Sequence, residues 1–137
     1  MSEEALKKVK GFLDSMGVNY VFDEEEGVIV APFKIKGKVY PILIMVMGEW
    51  VLTVARLVNV NELPSNLDRE KFYACLLRDT FYLSEITYGL MDNGDVVVHA
   101  STHVDALNYE DFKTEFASVV AGISHYRERI EPALPVK

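Results

Sequence analysis

Five places in the chain carry side chains able to do chemistry. His99, His103 and Asp105 are the only cluster of metal-ligating types, and such a set would hold zinc if its members converged on one point. They fall in a stretch that reads as a strand, where residues four apart do not face one ion as they would on a helix, so no metal site is expected. Cys75 is a nucleophile by type, yet it lies within an expected helix with no histidine beside it to serve as base. It reads as a buried structural thiol. Asp23, Glu24, Glu25 and Glu26 put four carboxylates together before Gly27, which is the composition of a solvated turn more than of a cation site. Asp92-Asn93-Gly94-Asp95 resembles the start of a calcium loop, but the spacing requires a glutamate at the twelfth position, where His103 stands. Its Asn-Gly pair is instead expected in a type I′ hairpin turn joining strands over Ser84 to Met91 and Asp95 to Ser101. His125, two residues before Arg127, reads as a surface or rim histidine. No glycine-rich phosphate loop or strained serine elbow occurs, so the reading assigns no catalytic residue, no metal and no cofactor.

The elements that would position any site are organised around Val39 to Leu57, two apolar runs folded about Gly48-Glu49. With Gly48 first in a two-residue type II′ loop, the register pairs Met47 with Trp50, Met45 with Leu52, Leu43 with Val54 and Pro41 with Arg56. The opposite face carries Val46/Val51, Ile44/Thr53, Ile42/Ala55 and Tyr40/Leu57. Both faces are largely apolar, whereas a sheet covered on one side alternates apolar with polar. The β-branched face suits packed helices. The face with Met45, Met47, Trp50, Leu52, Val54 and Arg56 has the composition of an interface, and these six are the expected partner-binding residues.

Before this hairpin, Ser2 is placed to cap a helix with Glu3 and Glu4 in its first turn, and Ala5, Leu6, Val9, Phe12, Leu13 and Met16 recur at helical spacing up to Gly17. Tyr20 to Phe22 reads as a short strand lead-in and Val28 to Ile35 as the first strand of a three-stranded antiparallel meander. Pro41 sits awkwardly in the second strand because it has no N–H to donate. A second helix is expected from the Leu67-Asp68 entry, with Phe72, Tyr73, Leu76, Leu77 and Thr80 as its buried stripe. Leu107-Asn108 repeats that entry before a long last helix, whose apolar face runs through Phe112, Phe116, Val119, Val120, Ile123, Tyr126 and Ile130. Residues 1–131 are expected to form one α+β domain, and 132–137, with two prolines, a tail that frays.

Bulk properties exclude several classes. A net charge of −7 disfavours phosphate backbones and anionic lipid surfaces, so neither nucleic acid nor membrane is an expected partner. A single cysteine fits a reducing compartment, the start Ser2-Glu3-Glu4 is acidic where an export signal would be basic, and no apolar run is long enough to span a bilayer. A cytoplasmic protein is expected.

The order helix, three strands, helix, two strands, helix resembles the two-layer sandwich of type III secretion chaperones and of the YbjN family. The stretch Leu83 to Ala106, with its Asp92-Asn93-Gly94-Asp95 turn, the strand Val96-Val97-Val98-His99-Ala100 and then Val104-Asp105-Ala106, is similar to the corresponding hairpin and helix approach of those families. The resemblance implies a homodimeric, non-enzymatic module that binds an extended protein segment or regulates another protein, without a cofactor. The competing class is a small-molecule sensor or enzyme with a pocket between sheet and helices, for which His99, His103 and Tyr88 are the first residues to inspect. Leaving Met45, Met47, Trp50, Leu52 and Val54 in water would forgo on the order of 7 kcal/mol, so the sequence points to a second copy or an apolar peptide as their cover.

Overall fold

In the computed structural model, which describes residues 2–137 and only the backbone at Ser2, the central hairpin has the register that Gly48-Glu49 dictates. The cap expected from the Ser2 side chain lies outside the described residues. Strands β3 (Lys38–Met47) and β4 (Trp50–Asn59) pair Met47 with Trp50, Met45 with Leu52, Leu43 with Val54 and Ile42 with Ala55. Gly48 has φ of 61°, as the first position of a type II′ turn requires. The ladder stops at Ile42/Ala55, so the expected Pro41/Arg56 and Tyr40/Leu57 pairs are absent from it. Pro41 stands where the next cross-strand N–H would have to come from, and the register of β4 shifts between Arg56 and Val58. The proline thus marks where the two strands part.

Strand β2 (Val28–Ile35) pairs along the other edge of β3, with Pro32 opposite Pro41. The nitrogen of Pro32 faces the outer edge of β2, where the three-residue strand β1 (Val21–Asp23) no longer reaches and no donor is needed. After β4 the chain crosses through helix α2 (Arg69–Tyr82) and returns as β5 (Tyr88–Leu90) and β6 (Asp95–His103). The result is one six-stranded antiparallel sheet in the order β1-β2-β3-β4-β6-β5, the meander and the second hairpin being joined through β4 and β6.

The second hairpin turns differently from the type I′ expectation. Met91 accepts from the Gly94 N–H and donates to Asp95, and of the two turn residues only Gly94 has positive φ, at 93°. Asn93 stays in an ordinary conformation, so the loop is a type I turn followed by a left-handed glycine, one residue longer than a type I′ loop. That residue moves the register: Tyr88 pairs with Val98, and the His99 N–H donates to Thr87. A side chain at 94 would meet Asn59 Oδ1 and Val60 Cγ1 at 3.2 Å. Gly94→Val combines this crowding with a forced left-handed conformation, and a loss of at least about 1 kcal/mol is expected in a denaturant melt. An unchanged melting curve would contradict the turn geometry.

Helix α1 (Ser2–Met16) and helix α3 (Tyr109–His125) lie on the face of the sheet carrying Ile29, Ala31, Ile42, Ile44, Val51, Ala55 and Val98, all buried. Phe33 meets Phe116 edge-on, and Phe12 packs on Phe112. Asn108 caps α3 by accepting the Asp111 N–H at 2.9 Å, and Asp68 caps α2 by accepting from Lys71 at 3.2 Å, as their positions in the sequence require. Of the stripe expected in α2, Phe72 and Leu76 are buried and Leu77 is exposed, because α2 flanks the β5 edge and touches the sheet along a narrow line. Helix α3 ends in a π-helical turn, Tyr126–Ile130, and a 3-10 turn, Glu131–Ala133. The last residues are tied back to the segment before α2: Leu67 and Val136 form a β-bridge, and Asp68 and Lys137 donate to Pro135 and Asn66. Among the described residues no helix is long and apolar enough to cross a membrane.

Candidate partner-binding surfaces

Among the described residues, no helix covers the second face of the sheet. Across it run Val30, Leu43, Val54 and His99 in one row, Met45, Leu52 and Ser101 in the next, then Met47, Trp50 and His103. Met47 and Trp50 are 57% and 49% exposed, while Met45, Leu52 and Val54 are half-buried by their neighbours. The sequence estimate treated all five as equally exposed, whereas mutual shielding concentrates the exposed apolar area at the Gly48-Glu49 end. Trp50 is held there by the His103 ring, edge-on at 5.2 Å. His103 accepts the Asp105 N–H at Nδ1, 3.1 Å, which leaves Nε2 as the side facing Glu49 Oε2 at 3.4 Å.

Arg56 lies on the same face but is already engaged. Its Nε donates to Asp95 Oδ1 at 2.8 Å and its NH2 group pairs with Glu62. Hydrogen bonds from Arg56, then Asn59 and Asn93, hold the Asp95 carboxyl below its ordinary range. Arg56 therefore clamps the irregular end of β4 to the start of β6. Where β3 and β4 part, a cleft of about 330 Å³ opens between Tyr40, Pro41, Leu43, Arg56 and Leu57.

The residues inspected for enzyme chemistry are not assembled. Tyr88 points to the helices and donates to the Gly122 carbonyl at 2.8 Å, while His99, on the opposite face by alternation, has its charged form disfavoured by burial. His103 is on the face of His99 but two alternate positions further on. Cys75 is half-buried, and burial together with the Asp79 carboxylate pushes its thiol up, which is the reverse of what an attacking thiolate needs. His125, expected at the surface or rim, is half-buried and ties α3 to α2 through Asp79 Oδ2 at 2.9 Å. Among the described residues no three His, Cys, Asp or Glu side chains gather as a metal ion would require.

A second surface was missed by the sequence reading. On α2, Leu77, Phe81 and Tyr82 are 71%, 82% and 76% exposed, and Leu90 and Met91 beside them are half exposed. An apolar groove of about 230 Å³ runs between Tyr73, Leu76, Leu77 and β5 at Tyr88, Gly89 and Leu90. The signal was present: Ala74, Leu77 and Phe81 are spaced as a second helical stripe, beside the one through Phe72 and Leu76.

No protein-family model matches the sequence, and no curated protein matches it. Solved structures do. The chain is similar to a structure of the ExsC-ExsE complex, at 17% identity and a TM-score of 0.65 over 98% of this chain and 96% of that one. It is also similar to the Yersinia pestis type III secretion chaperone SycH in complex with a stable fragment of YscM2, at 12% identity and a TM-score of 0.56 over 87% and 96% of the two chains. YbjN from E. coli matches at 16% identity and a TM-score of 0.62, over 89% of this chain and 90% of that one. The fold is that of the type III secretion chaperones and YbjN, as the order of elements led one to expect.

Proposed function

We propose that the chain is a non-enzymatic, chaperone-like module that works in the cytoplasm as a homodimer, without a cofactor, and holds an extended segment of another protein on its open sheet face. The observation that carries the reading is the composition of that face. Sheets with one side in water put polar residues there, whereas this one presents Met45, Met47, Trp50, Leu52 and Val54, with Arg56 at the rim. An extended chain laid along such strands would bury alternate side chains against them. Among the structures sharing the fold, the ExsC-ExsE and SycH-YscM2 ones are complexes of two proteins, which supports a protein partner. In this reading the apolar surface of α2 and β5 serves self-association, which leaves the sheet face free for the partner.

Trp50 is the only tryptophan and reports on the face directly. Apolar peptides of about ten residues are expected to shift its emission to shorter wavelength on binding. Trp50→Asp should weaken capture of a fluorescent peptide about tenfold or more while the protein stays folded, because an aromatic anchor is replaced by a charge. Wild-type protein that binds no such peptide, or a Trp50→Asp variant that binds as well as wild type, would sink the assignment.

A further inference from the structure

The open face is electrically polar along the strands. Lys34, Lys36 and Lys38 sit at the β2–β3 turn, all exposed. At the other end stand Asp23, Glu24, Glu25 and Glu26 in the β1–β2 turn and Glu49 in the β3–β4 turn, also exposed. In an antiparallel meander the β1–β2 and β3–β4 turns share one end and the β2–β3 turn lies at the other. Alternation puts Lys34 and Val39 on the open face with Leu43, Met45 and Met47. Between the charged ends lie nine residues of strand, from Val39 to Met47, or roughly 26 Å. Among the described residues none of these lysines is ion-paired within the molecule.

We infer that the segment held on this face is itself charge-polar: an extended apolar stretch of about eight residues, acidic at the end lying over Lys34 and Lys36 and basic at the end lying over Asp23 to Glu26 and Glu49. This rests on the reading of the face as a peptide-binding surface and adds the chemistry of the partner. The net charge of −7 by itself would favour uniformly basic segments, so the lysine tip is what makes the two ends distinct. The cleft of about 330 Å³ at Pro41, Leu43, Arg56 and Leu57 adds room for one side chain of such a segment at the lysine end.

Peptides sharing one apolar core and differing only at their ends separate the possibilities, with binding read from Trp50 fluorescence at low salt. The ends are serine at both, lysine at both, aspartate at both, or aspartate and lysine in either order. One of the mixed-end peptides is expected to bind roughly three- to tenfold tighter than either uniformly charged one, with the advantage gone at about 0.5 M salt. In Lys34→Glu combined with Lys36→Glu, checked for folding by circular dichroism, the preference should pass to the lysine-ended peptide. Affinity that rises with peptide positive charge alone in the wild type overturns charge polarity and leaves the proposed function standing. Failure of every peptide, the serine-ended one included, sinks both. A dimer that survives Leu77→Asp with Phe81→Asp and is broken by the two lysine reversals places a second copy on the face and also overturns the inference.

Discussion

Gly122→Ala is expected to destabilise the protein, although on helix propensity alone the change should stabilise it. Glycine inside a helix costs about 1 kcal/mol relative to alanine, so residue 122, in the last turn of α3 where the helix runs on into the π-turn, is a poor choice by propensity. The reason lies across the interface. A Cβ at 122 would stand 2.4 Å from Val98 Cγ2 and 3.4 Å from Ile86 Cγ2, and Val98 is fully buried in β6. The carbonyl of the same residue accepts the Tyr88 hydroxyl, so α3 cannot lift off the sheet without stranding that buried group. Overpacking of this kind costs about 1–3 kcal/mol, and the net effect of alanine should be a loss on the order of 5 °C in Tm, with valine unfolding the protein at room temperature or close to it. Val98→Ala is destabilising by itself through the cavity it leaves, but combined with Gly122→Ala it should return part of the loss, a coupling of about 1 kcal/mol or more in a double-mutant cycle. A Gly122→Ala protein more stable than wild type would show that α3 sits further from β6 than the structure places it.

What could be read from the sequence was what short-range chemistry decides. The Gly48-Glu49 loop has one favoured geometry, and side chains alternate strictly, so the register of β3 and β4 followed to Ile42/Ala55. Asp68 and Asn108 were legible as caps because a carboxylate or amide oxygen ahead of an apolar stripe meets orphan N–H groups in one place. The errors arose where a local rule had two solutions. Asn93-Gly94 fits a two-residue type I′ loop, which would pair Tyr88 with His99, or a type I turn with a left-handed glycine, which pairs Tyr88 with Val98 as observed. That one-residue difference puts Tyr88 and His99 on opposite faces and dissolves the pocket they were thought to share. Other features depended on tertiary placement. Leu77 belongs to the same amphipathic helix as Leu76, and its exposure follows from α2 lying at the sheet edge, which no periodicity encodes. His125 lies close to Arg127 in sequence, yet its partner Asp79 is 46 positions away on another helix.

Leu77→Asp combined with Phe81→Asp is expected to turn a homodimer into a folded monomer. A two-fold dimer uses the same patch on both copies, so the patch must contain both the projections and the recesses that receive them. The α2 surface has both: Phe81 and Tyr82 project edge-on to each other with rings 5.0 Å apart, and the Tyr73, Leu76, Tyr88, Gly89, Leu90 groove lies alongside. Gly89 lines the groove through its backbone, a Cβ there pointing instead to the His99 ring and Val97, at 3.3 and 3.4 Å, on the other face of the sheet. An aromatic residue inserted in such a groove is a typical hot spot, worth about 2 kcal/mol or more, and Phe81 is lost on both copies at once, so the double variant should raise the dimer Kd on the order of a thousandfold or more. The fold should tolerate the change because both side chains already stand in water in the monomer. Light scattering across a concentration series provides the measurement, with Trp50→Asp as the comparison. The α2 double variant should scatter as a monomer and still bind peptide, whereas Trp50→Asp should remain a dimer and lose the peptide. A wild-type monomer at about 100 μM, where a Kd of about 1 μM or tighter would leave little of it, would remove self-association from the reading. A dimer lost in Trp50→Asp but retained in the α2 variant would exchange the roles of the two surfaces.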